Sequence, residues 1–221
     1  MSKINPIIKI AKVQFYRFIV ALCGVIGVGM QIYQDGFGML LYYTVISNIL
    51  VFSFLFYLIG WEAKNGSINH SSKLLRSKGA VTMAIMITAV VYHFMLAPLA
   101  EPHAYWNIRN FLVHYIAPIG FILDTLIIDK KNSYRWFDPL TWTSFPLGYF
   151  AFAIFNGMVL QLPIPGAKDS PYAYFFINVN KFGLQKVLIN SLIIASAYVV
   201  GGYLLLLVKK LVGANCKETV R

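Results

Sequence analysis

The chain is organised by six long apolar runs, at about 13–34, 38–61, 79–98, 108–128, 139–160 and 185–208, separated by short segments that hold most of its charge. A helix rises about 1.5 Å per residue, so roughly 20 apolar residues cross the roughly 30 Å hydrocarbon layer of a bilayer. Each run meets that length. None shows the polar stripe that a surface helix would carry along one side. In lipid the backbone must satisfy its own polar groups, so the runs are expected as helices and not as open sheet. The pattern predicts an all-α integral membrane protein, a bundle of six transmembrane helices forming a single domain over residues 1–221.

Composition agrees with the pattern. Hydrophobic residues make up 58% of the 221 and charged residues 12%, against about 45–50% and 25% in a soluble domain. A soluble enzyme of this length could not bury so much apolar surface. The net charge of +11 raises the question of nucleic acid, but the basic residues are dispersed over short segments without an accompanying DNA or RNA motif. Their distribution carries a different message. Fifteen of the 19 lie on one side of the six-span topology: Lys3, Lys9, Lys12 and Arg17; Lys64, Lys73, Arg76 and Lys78; Lys130, Lys131 and Arg135; Lys209, Lys210, Lys217 and Arg221. Four lie on the other: Arg109, Lys168, Lys181 and Lys186. The positive-inside rule then expects both termini in the cytoplasm. The first run is too long, and lacks the small-residue site, for a cleaved signal peptide, and reads as a retained anchor. Cys23 falls inside the first run and Cys216 in the tail, so no disulfide is expected. Gly24, Gly27 and Gly29 read as a close helix-packing surface.

Polar residues inside such runs are costly and need a reason. Counted from the outer end of its run, Thr44 is about six residues deep, His114 six, His93 five, Asn190 five and Asn156 four. At 1.5 Å per residue they share a layer about 6–9 Å below the outer edge. Asn48 follows Thr44 by four residues and Asn110 precedes His114 by four, so each pair shares a helix face. Interhelical hydrogen bonding accounts for Asn and Thr in a bundle. Two histidines at the same depth suggest proton chemistry, because a neutral imidazole can accept a proton. Pro118, four residues after His114, is expected to free the His114 carbonyl and kink the helix, and Pro146 to free that of Trp142. Asp124, ten residues after His114, lies too far along the helix to partner it, and is expected to pair with a basic residue or Trp on the inner side.

The outer segment 161–184 is aromatic and apolar where a solvated loop would be polar. It fits either an interfacial aromatic belt or a lid over the outer mouth of the bundle, with Tyr172, Tyr174, Phe175 and Phe176 as the lid residues. Pro163, Pro165 and Pro171 keep it from forming a long helix. The HExxH, GxSxG and Walker signatures are absent, and the histidines do not show metal-ligand spacing, so neither metal nor cofactor is expected.

The segments YYTVISNILVF at 42–52, NFLVHYIAPIGFILD at 110–124, YRWFDPLTWTSFPLGYF at 134–150 and YAYFFINVNKFG at 172–183 resemble the androgen-induced protein family of membrane hydrolases, and within it the bacterial six-helix relatives. The resemblance spans about residues 15–208. It implies a threonine-dependent hydrolase of lipid esters, such as fatty acid esters of hydroxy fatty acids, with Thr44 as nucleophile and His114 as base. The spacing from the His to the following Pro is tighter here than in the animal members. Under this reading an oxyanion donor comes from Asn48, His93, Asn110, Asn156 or Asn190, and the substrate arrives from the bilayer. A small transporter or channel would instead need a polar path continuing inward, and a non-catalytic lipid-binding protein would tolerate replacement of Thr44 and His114.

Overall fold

The computed structural model describes residues 6–167 and 170–215; Lys3, Lys168, Cys216, Lys217 and Arg221 lie outside them. Among the described residues the chain is helical, with one isolated bridge, between Lys130 and Ala214, in place of any strand. Six helices are long and apolar enough to cross a membrane. We label them α1 (Pro6–Asp35), α2 (Tyr43–Asn65), α3 (Ser72–Leu99), α4 (Ile108–Ile128), α5 (Asp138–Leu160) and α6 (Val179–Leu211).

The boundaries differ from the hydropathy reading in two places that matter. The second span starts at Tyr43 and not near residue 38, because Gly36 (φ 85°) ends α1 and Phe37–Leu41 turn as a separate 3-10 helix. Tyr42 is then extended, and Thr44 falls in the first turn of α2. The third span starts seven residues early, where Ser71 caps the helix by accepting the Leu74 N–H; its first turns carry Lys73, Arg76 and Lys78, so apolar length alone could not find them. α6 is likewise longer at both ends, and Gly183 (φ 74°) breaks its helical path near the start.

Spans one to four form the packed centre. In α1 to α3, 39% of the most apolar stretch is buried, and in α4 44%, against 17% in α5 and α6. Val20, Ala21, Val51, Leu55, Val81, Ile85 and Phe121 make one continuous core between α1, α2, α3 and α4. α5 and α6 stand against this core and present Leu147, Leu188 and Leu192 to the outside.

At the end of the bundle where α1 begins and α6 finishes, six charges are buried together. Arg17 Nε binds Asp124 at 2.9 and 3.1 Å, and Arg17 Nη1 binds Glu62 at 2.6 Å. Lys78 Nζ sits 2.8 Å from Asp124 and 2.7 Å from Asp129. Lys209 Nζ donates to the carbonyls of Thr125 (3.0 Å) and Asp129 (2.8 Å). Three bases face three acids across five helical segments. A charge this deep is tolerable only when paired. Asp124 therefore has basic partners, supplied by α1 and α3 and not by the nearby Lys130, Lys131 or Arg135. Glu62 also accepts the Ile68 N–H at 2.8 Å, which ties the α2–α3 turn to the cluster.

Four π-turns interrupt the spans, at Tyr92–Leu96, Leu112–Ile116, Asp124–Ile128 and Asn156–Leu160. They contain His93, His114, Asp124 and Asn156, four of the polar residues inside the spans. A π-turn widens the helix locally and leaves carbonyls available to side chains.

Candidate active site

Thr44 and His114 meet. Thr44 Oγ1 lies 3.4 Å from His114 Nε2, and both residues are buried. The other ring nitrogen, His114 Nδ1, lies 3.1 Å from the Asn110 carbonyl. A carbonyl can only accept, so Nδ1 carries the proton and Nε2 presents its lone pair to the Thr44 hydroxyl. That is the tautomer a general base requires. The Tyr92 ring stacks on the imidazole at 3.6 Å between centroids and 16° between planes, which holds the ring in this orientation.

The pairing of α2 with α4 is secured one residue from the imidazole. In the π-turn of α4 the Ala117 N–H bonds the Leu112 carbonyl, five residues back. In the same register the Val113 carbonyl would need the N–H of residue 118, which is proline. Pro118 therefore leaves the Val113 carbonyl without a helical donor, one residue before the His114 carbonyl that straight-helix counting expects to be freed. Asn48 Nδ2 fills the vacancy at 2.9 Å and also binds the Thr44 carbonyl at 2.8 Å. One amide thus joins the Thr44 turn to the His114 turn. Ser47 adds a second tie, to the Thr44 carbonyl (3.1 Å) and to Thr88 Oγ1 of α3 (2.7 Å). At Pro146 the straight-helix expectation fits the contacts, since the Trp142 carbonyl accepts the Tyr198 hydroxyl at 3.1 Å.

The remaining polar residues counted to the same depth have other partners. Asn110 donates from Nδ2 to the Tyr105 carbonyl at 2.9 Å, while its own carbonyl holds His114. His93 lies on the exposed side of α3 against the Tyr115 hydroxyl, 3.1 Å away. Asn156 binds the Pro171 carbonyl (3.1 Å) and the Leu162 N–H (3.3 Å), and Asn190 binds the Phe176 carbonyl (3.2 Å). The last two anchor the loop 161–184 and do not line the cavity at Thr44.

That loop folds over the bundle. Tyr172, Tyr174 and Ile177 are buried with Tyr43, Ala153 and Val187, while Phe175 faces outward. The Tyr172 ring lies so close to Gly157 that any side chain there would overlap it. Tyr42 Oη donates to the Pro165 carbonyl at 2.6 Å. Tyr174 reaches furthest in: its Oη accepts the Thr44 N–H at 3.3 Å. Its ring stacks on Phe176 and meets Tyr42 edge-on.

Beside Thr44 is a cavity of about 310 Å³. Its walls are almost wholly apolar and come from α2, α3, α5, α6 and the loop, with Thr44, Tyr92, Phe150, Tyr174, Leu188 and Leu192 among them. Leu147, Leu188 and Leu192 line it and are also half or more exposed, so the cavity reaches the outside of the bundle between α5 and α6. His114 stands behind Thr44, away from the cavity wall. Such an arrangement offers a hydroxyl with its base on one side and an apolar chamber on the other.

Depth counting along separate helices selects Thr44 and His114, but not Tyr92, Ser47, Thr88 or Tyr174, which surround them. Tyr174 is distant in sequence and lies in a loop, so no helical period relates it to Thr44. No family model, no curated protein and no solved structure matches this chain.

Proposed function

We propose that the protein is an integral membrane hydrolase that cleaves lipid esters, with Thr44 as nucleophile and His114 as general base. The observation that carries this reading is the pair of bonds on one imidazole: Nδ1 held by the Asn110 carbonyl, Nε2 facing the Thr44 hydroxyl. In the proposed reaction His114 Nε2 takes the Thr44 proton as Oγ attacks the ester carbonyl. The tetrahedral intermediate collapses, the C–O bond to the alcohol breaks, and His114 returns the proton to the departing alkoxide. Water then attacks the acyl-threonine with His114 again as base, releasing the acid and restoring Thr44. The 3.4 Å separation is at the long end of hydrogen bonding, as is common before substrate closes a site.

The apolar cavity supports an acyl chain as the part of the substrate that is bound, and its opening between α5 and α6 supports entry from the bilayer. Fatty acid esters of hydroxy fatty acids fit this description, and kinship with the androgen-induced protein family is part of the proposal. The charge distribution supports both termini in the cytoplasm and the dyad towards the outer leaflet, and a bacterial plasma membrane is what the resemblance to the bacterial six-helix relatives implies. A transporter is disfavoured because the inner charges are paired with one another and offer no open polar path from the Thr44 layer.

A fluorophosphonate probe applied to membranes tests the reading. Wild type should carry the probe on Thr44, found by peptide mass spectrometry, and Thr44→Ala and His114→Ala should not. Undiminished labelling of Thr44→Ala would overturn the nucleophile assignment.

A further inference from the structure

Ester cleavage at the dyad calls for a donor to the charge that develops on the ester oxygen, and the side chains expected to supply it are engaged elsewhere. Asn48 and Asn110 hold backbone carbonyls, Asn156 and Asn190 anchor the loop, and His93 lies on the exposed side of α3. One polar hydrogen does reach the reaction centre from the loop. Tyr174 Oη stands beside the Thr44 side chain and accepts the Thr44 N–H at 3.3 Å. Because Gly36 and the 3-10 turn delay the start of α2, that N–H belongs to the first turn and has no carbonyl within the helix to bond.

Building on the Thr44–His114 reading, we propose that Tyr174 is a catalytic residue whose hydroxyl donates to the oxyanion of the tetrahedral intermediate, polarised by the Thr44 N–H bonded behind it. A phenol that accepts one hydrogen bond becomes a stronger donor of its own proton. The positive end of α2 acts in the same direction. Burial raises the Tyr174 hydroxyl above its usual range, so it keeps its proton at neutral pH. That proton stays on Tyr174 throughout, and only His114 transfers one. The ring is set by Phe176 and Tyr42, and the loop by Tyr42 and Asn190, so the donor is in place before substrate arrives. A preorganised donor of this kind acts on the transition state and not on substrate binding.

The test uses the full-length protein in detergent micelles, 4-nitrophenyl decanoate as the ester, and labelling of Thr44 as the check on the dyad. Tyr174→Phe keeps the ring and removes the donor. It should lower kcat about 10²–10³-fold, the cost of losing one oxyanion donor, with KM within about threefold. 4-Aminophenylalanine at position 174 restores a donor and should recover most of the loss, while O-methyltyrosine keeps the oxygen without the proton and should not. Tyr42→Phe, which only releases the loop from Pro165, should reduce kcat far less than Tyr174→Phe. An unchanged or raised kcat in Tyr174→Phe would overturn the proposal, as would equal losses in Tyr42→Phe, or rescue by O-methyltyrosine as complete as by the amino analogue. Wild type that takes no probe on Thr44 would instead remove the hydrolase reading on which the proposal rests.

Discussion

At the residue scale, the imidazole of His114 has one arrangement that satisfies both of its nitrogens, and that arrangement presents an acceptor to Thr44. The expected outcome of His114→Ala is a fall in kcat of about 10²–10⁴-fold on a lipid ester, the usual contribution of a positioned general base. Thr44→Ser keeps a hydroxyl at the same distance and should retain measurable hydrolysis, whereas Thr44→Val, which keeps the shape, should not. Turnover of the ester by purified protein measures all three. Activity in Thr44→Val equal to wild type would show that the reaction does not pass through this oxygen.

Helices two and four are brought into register by a consequence of proline chemistry. Pro118 has no N–H to offer the Val113 carbonyl in the register of the π-turn, and Asn48 supplies the donor. Asn48→Leu fills the space but leaves the Val113 carbonyl without its side-chain donor and the Thr44 carbonyl with Ser47 as its only one. It should cost about 1–2 kcal/mol of stability, read as a lower midpoint of thermal unfolding in detergent, and it should lower kcat more than KM because the dyad loses alignment. The loop is held by an equally specific contact: Gly157→Leu should drive the Tyr172 ring out of its place and detach the segment from the cavity. Faster proteolysis within 161–184, with α1 to α4 still folded by circular dichroism, is the expected sign. Unaltered proteolysis would mean that the loop does not depend on this contact.

For the whole molecule, the buried charges determine how the spans come together at the end of the bundle where α1 begins. Arg17, Lys78 and Lys209 each reach acids or carbonyls on other helices. Removing one partner leaves a buried charge uncompensated, which costs about 3–5 kcal/mol. Lys78→Met should therefore destabilise the fold far more than Lys73→Met on an exposed turn, measured as the difference in unfolding midpoint between the two variants. Equal midpoints would show that the cluster contributes little. The cluster also explains why charges sit inside spans one, two and three: each belongs to a set of three bases and three acids that no single helix contains.

The linear order of residues determined the number of spans, the choice of helix over sheet, and the layer in which polar side chains sit, because bilayer thickness and backbone hydrogen bonding act on contiguous residues. It also placed Thr44 and His114 in one layer with His93, Asn156 and Asn190, since depth along a helix can be counted. Tertiary structure decided what depth cannot: which faces of different helices turn towards each other. Asn156, Asn190 and His93 share the layer of the dyad yet point to the loop or to the outside. The bond from Asn48 to the Val113 carbonyl, the pairing of Asp124 with Arg17 and the arrival of Tyr174 at Thr44 are contacts between residues 65 to 130 apart in the chain. Hydropathy averages over one helix at a time and carries no information on rotation about its axis, and the assembly of the candidate site depends on that rotation.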